Sequence, residues 1–155
     1  MTSKKFKYLI LFLFINFSGL SFGSWLMNNG PMTNWYLSLI KAPWTPPGWV
    51  FGAAWTSIMI CFSIYLSYFF IKKYTSKKLL LFIAQVILNI SWNYIFFNQH
   101  QVVFALLVIT TLTALIFYLF LRYLKEQTKV SYLLLPYMIW LCIATSLNLY
   151  ILIHN

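Results

Sequence analysis

Residues 79–121 read LLLFIAQVILNISWNYIFFNQHQVVFALLVITTLTALIFYLFL, two uncharged apolar runs separated only by Asn98-Gln99-His100-Gln101. Each run is long enough for a helix to cross a bilayer, which takes about 20 apolar residues at about 1.5 Å of rise per residue. Because the polar interruption is so short, we expect the two helices to form a tight hairpin. This pattern predicts an integral membrane protein.

Three further uncharged apolar runs extend this interpretation to the whole chain. The expected fold class is all-α, an integral membrane bundle of five transmembrane helices. A long aromatic outer loop, 28–47, separates the first two helices, and residues 1–155 form a single transmembrane domain. The expected spans are 8–27, 48–71, 79–97, 102–121 and 131–153.

The composition excludes several classes of protein. The chain is 62% hydrophobic, 21% aromatic and 8% charged, whereas an ordinary soluble domain is about 25% charged. A soluble domain of 155 residues has too little interior to hide so much apolar surface. The single acidic residue, Glu126, excludes catalysis by paired carboxylates and proton-coupled transport through a buried Asp or Glu.

The net charge of +10 is explained by the membrane topology, because the basic residues collect on one side of the membrane. No nucleic-acid partner is therefore expected. With five spans, Lys41 lies on one side and every other basic residue on the opposite side; these are Lys4, Lys5, Lys7, Lys72, Lys73, Lys77, Lys78, Arg122, Lys125 and Lys129. The positive-inside rule then places the N-terminus in the cytoplasm and the C-terminus outside. The bacterial inner membrane is the default location for a helical membrane protein.

The first span has an alternative interpretation. Three lysines, an apolar run and the small residues of 21–24 are also typical of a cleaved secretory signal. The apolar run continues through Trp25-Leu26-Met27, and the charge bias is consistent with a retained helix. Whether the segment is ever cleaved stays open at this point.

Polar and aromatic residues inside the spans indicate an internal pocket. Gln85, Asn89 and Asn93 fall at i, i+4 and i+8 on one face of the third span. Such amides usually hydrogen-bond between helices, which is the simpler explanation for each one alone. Several tryptophans, however, lie too deep for an interfacial belt, namely Trp55, Trp92 and Trp140. Together these features favour an aromatic pocket between the helices.

Local signals refine the expected structure. Thr45 is a candidate N-cap for the second span, 33–40 suits a short helix across the bundle opening, and Pro136 predicts a kink in the fifth span. Gly19 and Gly23 permit close helix packing, within the bundle or across a dimer. No metal site is expected, because the two histidines lack Cys or carboxylate neighbours.

Three motifs resemble one known family. They are WYLSLIKAPWTPPGWVFGAAWT at 35–56, LNISWNYIFF at 88–97 and LLPYMIWLCIATSLN at 134–148. This set resembles the TspO/MBR proteins, which comprise bacterial tryptophan-rich sensory proteins and the mitochondrial translocator, or peripheral-type benzodiazepine receptor. Two departures are notable: Ala53-Ala54 stands where the family often has Pro-Val, and no basic residue follows Tyr150, so steroid binding is not carried over.

The resemblance implies a five-helix bundle, often a homodimer, whose pocket opens toward the outer loop and binds porphyrins such as protoporphyrin IX or other flat hydrophobic molecules. By motif position, the ligand-binding residues would be Tyr36, Pro46, Trp55, Asn89, Trp92, Trp140, Ala144 and Leu147. The three tryptophans would stack on the ring, and Trp55 N–H and the Asn89 amide would bond its polar edge. Tyr36 and Pro46 would belong to a lid.

Three functions follow from this resemblance. The first is tetrapyrrole binding for porphyrin sensing, scavenging or regulation, with the porphyrin as ligand and no cofactor required. The second is light- and oxygen-dependent porphyrin degradation, for which Trp55 and Trp140 are the candidate catalytic residues. The third is facilitated porphyrin transport. No conventional catalytic constellation distinguishes the first two, because photochemistry needs none.

Overall fold

The computed structural model describes residues 3–72 and 74–155, and the described chain is helical throughout apart from its connections. Five of its helical segments are long and apolar enough to cross a membrane, which confirms the expected all-α bundle. Lys73 and the first two residues, which the sequence-based predictions also covered, lie outside the described residues.

The five long helices are joined by short elements. The long helices are α1 (Ser3–Leu26), α3 (Gly48–Lys72), α4 (Ser76–Asn93), α5 (Val102–Tyr123) and α7 (Leu135–His154). The short helices are α2 (Asn34–Ser38) and α6 (Thr128–Ser131), and 3₁₀ turns cover Gly30–Met32 and Tyr132–Leu134. A π-helical turn, Tyr94–Asn98, extends α4.

The long helices form a closed ring in the order α1, α3, α7, α5 and α4, with α4 packing back against α1. Its core is aromatic and aliphatic, with Phe62, Tyr65 and Leu141 fully buried. α4 and α7 face each other across this ring, and side-chain hydrogen bonds span the distance between them. The space between these two helices is therefore where a ligand site can form.

One end of the bundle, here called the lysine end, holds the starts of α1 and α4 and the ends of α3 and α5. Lys5 Nζ lies 3.4 Å from the Tyr68 ring centroid, and Lys78 Nζ donates to the Phe69 carbonyl at 2.7 Å. These contacts tie α1 and α4 to the end of α3. The opposite end, here called the loop end, holds residues 28–47, residues 98–101 and the end of α7.

The segment between α1 and α3 contains the short helix that the sequence predicted. Thr33 caps α2 by accepting a hydrogen bond from Tyr36 N at 3.3 Å, which confirms a helix within 33–40. At the base of the segment, a Cβ added at Gly30 would lie 2.6 Å from Phe97 side-chain atoms. Only glycine permits this approach between the segment and the end of α4.

Two local predictions were wrong. Thr45 does not cap α3, because that helix begins at Gly48 and the Thr45 hydroxyl donates instead to the Ala42 carbonyl at 2.7 Å. Pro136 does not kink a long helix, because it lies in the first turn of α7, where a proline leaves no backbone bond unmade. The preceding residues form the 3₁₀ turn Tyr132–Leu134.

The Gly19 and Gly23 face packs within the bundle. A Cβ at Gly19 would meet Ile90 Cδ1 at 3.7 Å, and one at Gly23 would lie 2.8 Å from Asn93 Nδ2. Of the two alternatives left open by the sequence, these contacts favour close packing of α1 on α4 within one chain.

Candidate ligand-binding cleft

A cleft opens at the loop end between α4, α7 and the α1–α3 segment. About 410 Å³ of space lies between its side chains, a volume that includes the open solvent at its mouth. We call it the aromatic cleft; its lining residues are Tyr36, Lys41, Thr45, Phe51, Trp92, Phe96, Phe97, Ala144, Leu147, Asn148 and Ile151.

The α4 wall of the aromatic cleft is a stack of rings. Trp92 and Phe96 are nearly parallel, with centroids 5.3 Å apart and planes at 12°, and Phe97 meets Phe96 edge-on at 4.9 Å. Both phenylalanines are buried although they are consecutive, which an α-helix would not allow on one face. The π-helical turn explains this arrangement: Gln99 N donates to Tyr94 O at 3.0 Å, five residues back.

Asn148 fixes the orientation of Trp92 at the floor of the cleft. The Trp92 indole N–H donates to Asn148 Oδ1 at 3.1 Å, and Asn148 Nδ2 donates to the Val102 carbonyl at 3.2 Å. One amide thus connects α4, α5 and α7. Because its N–H is already used, the Trp92 ring contributes an apolar stacking face to the cleft.

The segment between α1 and α3, here called the covering segment, lies over the cleft and is hydrogen-bonded to α7 and its C-terminal residue. Ile40 N donates to Asn155 Oδ1 at 2.9 Å, and the Trp44 indole donates to Ser146 Oγ at 3.2 Å. Burial raises the pKa of the Tyr36 hydroxyl above its ordinary value of 10.0, because the charged phenolate would be poorly solvated. Tyr36 therefore remains a neutral group at physiological pH.

Four of the predicted site residues line the aromatic cleft: Tyr36, Trp92, Ala144 and Leu147. They come from three elements, which are α2, α4 and α7. Ala144 and Leu147 are one helical turn apart on α7, so they present small and medium side chains to the cleft.

The other four predicted residues lie around the cleft and do not line it. Trp140 is buried behind Phe51, a lining residue, with ring centroids 5.1 Å apart. Trp55 packs edge-on against Tyr137 at 5.9 Å. Pro46 is half-buried in the covering segment.

Asn89 lies in a second, smaller space, here called the amide cavity, between α1, α3 and α4. It contains about 230 Å³, including open solvent, and is lined by Ile15, Asn16, Gly19, Leu20, Met59, Gln85, Val86, Asn89 and Ile90. Asn89 Nδ2 and Gln85 Nε2 both donate to the Tyr137 hydroxyl, at 2.7 and 2.9 Å. The Asn89 amide thus serves as a bond between α4 and α7, which was the simpler explanation offered by the sequence.

Several lining residues were missed by the sequence reasoning. Phe51 and Ile151 each lie four residues from a predicted position, Trp55 and Leu147, so helical periodicity could have found them. Lys41 could have been found because it is the basic residue set apart from all the others. Nothing in the sequence pattern indicates the π-helical turn that brings Phe97 inward.

Comparison with known proteins gives a consistent result. The family model described as TspO/MBR family matches residues 11–154. The chain is 30% identical over 129 residues to the tryptophan-rich protein TspO of Chlorobaculum tepidum, covering 81% of this chain and 82% of that protein. It is 31% identical over 114 residues to the tryptophan-rich sensory protein of Cereibacter sphaeroides, covering 74% and 72%.

A eukaryotic relative shows a similar degree of identity. The chain is 29% identical over 125 residues to the translocator protein of Homo sapiens, covering 77% of this chain and 74% of the human protein. The family match begins within the first of the five candidate membrane helices and includes the other four and the covering segment. This multi-pass membrane protein therefore belongs to the TspO/MBR family.

Proposed function

We propose that the chain binds a tetrapyrrole such as protoporphyrin IX in the aromatic cleft and acts in porphyrin sensing, scavenging or regulation. The observation that carries this proposal is the Trp92–Phe96 stack, two nearly parallel rings that form one wall of the cleft that Ala144 and Leu147 also line. A planar aromatic ligand gains the most from such a wall, because ring stacking adds about 0.5–1.5 kcal/mol beyond the burial of area.

The surroundings of the cleft also suit a ligand of this kind. The cleft is lined mainly by apolar side chains with a few polar groups among them, which is the usual composition of small-molecule sites. Trp140 extends the aromatic surface behind Phe51. The covering segment is fastened to α7 by a few hydrogen bonds near the mouth, so their opening would admit a large flat ligand.

Light-dependent porphyrin degradation is a second candidate, and one contact favours it. Trp140 lies one ring away from the cleft, because Phe51 separates the two and packs on Trp140 at 5.1 Å. A tryptophan separated from a bound porphyrin by a single ring would be near enough to donate an electron to the light-excited porphyrin, with dioxygen as the oxidant. Illumination of porphyrin-loaded Trp140→Phe should leave the porphyrin absorbance nearly unchanged, and bleaching at the wild-type rate would refute the role of Trp140.

We also propose the membrane placement expected from the sequence, with the lysine end in the cytoplasm and the chain in a bacterial inner membrane. The concentration of basic residues at the lysine end supports this orientation. Homodimer formation is a further proposal, taken from the family alone. After Cys61 and Cys142 are replaced by alanine, single cysteines at Ser3 and Asn155, labelled from either side of sealed vesicles, would test the orientation.

The test of the proposed function is a titration with protoporphyrin IX in the dark, followed by tryptophan fluorescence in detergent. Wild-type protein should show saturable quenching. Trp92→Leu should weaken binding at least about fivefold, because about 1 kcal/mol of stacking is lost. Trp25→Leu is the matched control, since Trp25 is 73% exposed on α1 and should leave the dissociation constant unchanged. Linear quenching, equal in all three proteins, would refute the proposal.

A further inference from the structure

The amide cavity opens toward the membrane and shares no lining residue with the aromatic cleft. Its mouth lies between α1 and α4, where Ile15, Val86 and Ile90 are half-buried, and its floor is the buried Met59 of α3. Both α1 and α4 belong to candidate membrane spans, and the cavity lies near the middle of each helix. A molecule dissolved in the bilayer can therefore reach this cavity without entering the aromatic cleft.

Three amide side chains give the cavity its chemistry, and their nitrogens are all used. Asn16 Nδ2 donates to Ser63 Oγ at 2.8 Å, whereas Gln85 Nε2 and Asn89 Nδ2 both donate to the Tyr137 hydroxyl. Within the described chain, no donor reaches Gln85 Oε1, which is buried, and no hydrogen bond uses the side-chain oxygens of Asn16 and Asn89. The Tyr137 hydroxyl has a single hydrogen, so it can serve at most one of the three amides.

The position of these oxygens makes a missing donor costly. Gln85 is 2% exposed and Asn16 is 4% exposed, and the hydrocarbon core of a bilayer supplies no water to them. A buried acceptor without a hydrogen bond raises the free energy of the folded protein. A ligand that brings a donor into the cavity removes this cost, and the gain adds to the affinity for that ligand.

Charge and space restrict the donor to a small neutral group. An ammonium would place its charge in hydrocarbon without a carboxylate, because Glu126 is the single acidic residue of the chain and pairs with Arg122 at the lysine end at 3.5 Å. The free space inside the cavity fits roughly one water-sized group. A hydroxyl meets both conditions, whereas a sugar or a phosphate is too large.

We propose that the amide cavity is a second binding site, which takes the hydroxyl group of a long-chain alcohol from the bilayer. The hydroxyl donates to Gln85 Oε1, and the alkyl chain stays in the lipid along the groove between α1 and α4. A Cβ at Gly19 would lie 3.7 Å from Ile90, and one at Gly23 would lie 2.8 Å from Asn93, so close packing closes this groove toward the loop end. The chain therefore leaves the cavity toward the lysine end.

The test is photolabelling of the protein in phosphatidylcholine vesicles, whose lipids carry no hydroxyl group. The probe is 1-dodecanol with a diazirine in the middle of its chain, and the competitors are 1-dodecanol, its methyl ether and dodecane. We expect labelled residues on α1 or α4 beside the cavity. 1-Dodecanol should displace the probe saturably, and the ether, which lacks the donor, should do so at least about threefold more weakly.

Two pairs of variants show whether the cavity itself holds the alcohol. Gln85→Met removes the acceptor, whereas its control, Tyr137→Phe, removes the same bond between α4 and α7 but leaves the Gln85 oxygen in place. Val86→Phe fills the mouth, whereas Ile87→Phe adds the same ring at a neighbouring position that is 59% exposed. We expect Gln85→Met and Val86→Phe to lower the displaceable labelling at least about threefold, and both controls to keep it.

The competitor series on wild-type protein decides the proposal even if a variant fails to fold. Equal displacement by 1-dodecanol and its ether would refute the hydrogen bond and with it the proposal. Labelling that 1-dodecanol does not displace, or that persists in a folded Val86→Phe variant, would show that alcohols only cover the helix surface, which also refutes the site. Protoporphyrin IX should bind wild type and Val86→Phe equally, so failure of this proposal leaves the aromatic cleft untouched.

Discussion

Removal of the Tyr137 hydroxyl tests the polar bonds that cross the bundle. Tyr137 is 1% exposed, and its hydroxyl accepts hydrogen bonds from Gln85 Nε2 at 2.9 Å and Asn89 Nδ2 at 2.7 Å. Hydrogen bonds between membrane helices contribute about 0.6 kcal/mol on average and about 1.7 kcal/mol at most. Tyr137→Phe, which removes one atom and leaves no large cavity, should therefore lower the free energy of unfolding by about 1.2 kcal/mol.

The assay is reversible unfolding in mixed micelles of denaturing and mild detergent, followed by circular dichroism. A loss of about 1.2 kcal/mol reduces the folding equilibrium constant about sevenfold. Tyr132→Phe is the matched control, because Tyr132 is 53% exposed and its hydroxyl makes no hydrogen bond within the described residues. A double-mutant cycle with Asn89→Ala should give a coupling of about 0.6 kcal/mol.

Equal stabilities of Tyr137→Phe and Tyr132→Phe would contradict this reasoning. That result would mean that the two amides find other hydrogen-bond partners as readily as the Tyr137 hydroxyl. The relative positions of α4 and α7 would then be set by packing alone. A coupling near zero in the cycle would lead to the same conclusion for the Asn89 bond.

Two further substitutions test the covering segment and the cleft floor. Gly30→Ala places a Cβ 2.6 Å from the Phe97 side chain, so the covering segment must move. We expect the free energy of unfolding, measured by thermal unfolding, to fall by about 1–3 kcal/mol. Gly19→Ala is the control and should be neutral or stabilising, because the nearest contact of its Cβ is at 3.7 Å. Equal melting temperatures for the two variants would refute this contact. Asn148→Leu removes the hydrogen-bond acceptor of the Trp92 indole, so porphyrin affinity in the dark should fall about two- to fivefold. Unchanged affinity would show that this hydrogen bond is not needed to orient Trp92.

The helical framework could be predicted from the sequence because a bilayer leaves few alternatives. Backbone groups in hydrocarbon must be paired within the segment, so an uncharged run such as 102–121 has to be helical. The short helix α2 was also predictable, since Thr33 precedes it as a capping residue. The first residue of each helix was harder to predict. Thr45 forms a local hydrogen bond before α3 and does not cap it, and Pro136 lies in the first turn of α7 and does not kink it.

The site was less predictable than the fold because apolar patterns do not show how a helix ends. The sequence of residues 94–98 is compatible with an α-helix as well as with a π-helical turn. Only the π-helical turn brings both Phe96 and Phe97 to the cleft. Asn89 was expected to face the ligand, but its amide bonds Tyr137 across the bundle. Which polar group meets a ligand and which meets another helix depends on packing, which the sequence of one helix does not contain.

The central claim is that a porphyrin binds in the aromatic cleft, and its most direct test is a substitution that fills this cleft with a larger side chain. Ala144 lines the cleft and is 8% exposed, so Ala144→Leu adds a bulky group where the porphyrin ring would stack, whereas Ala53→Leu adds the same group at an exposed position on α3. Both variants are titrated in the dark with protoporphyrin IX after their melting temperatures are shown to match wild type. We predict that Ala144→Leu weakens saturable binding at least about tenfold and that Ala53→Leu leaves it unchanged. Wild-type affinity in Ala144→Leu would contradict the placement of the ligand in this cleft.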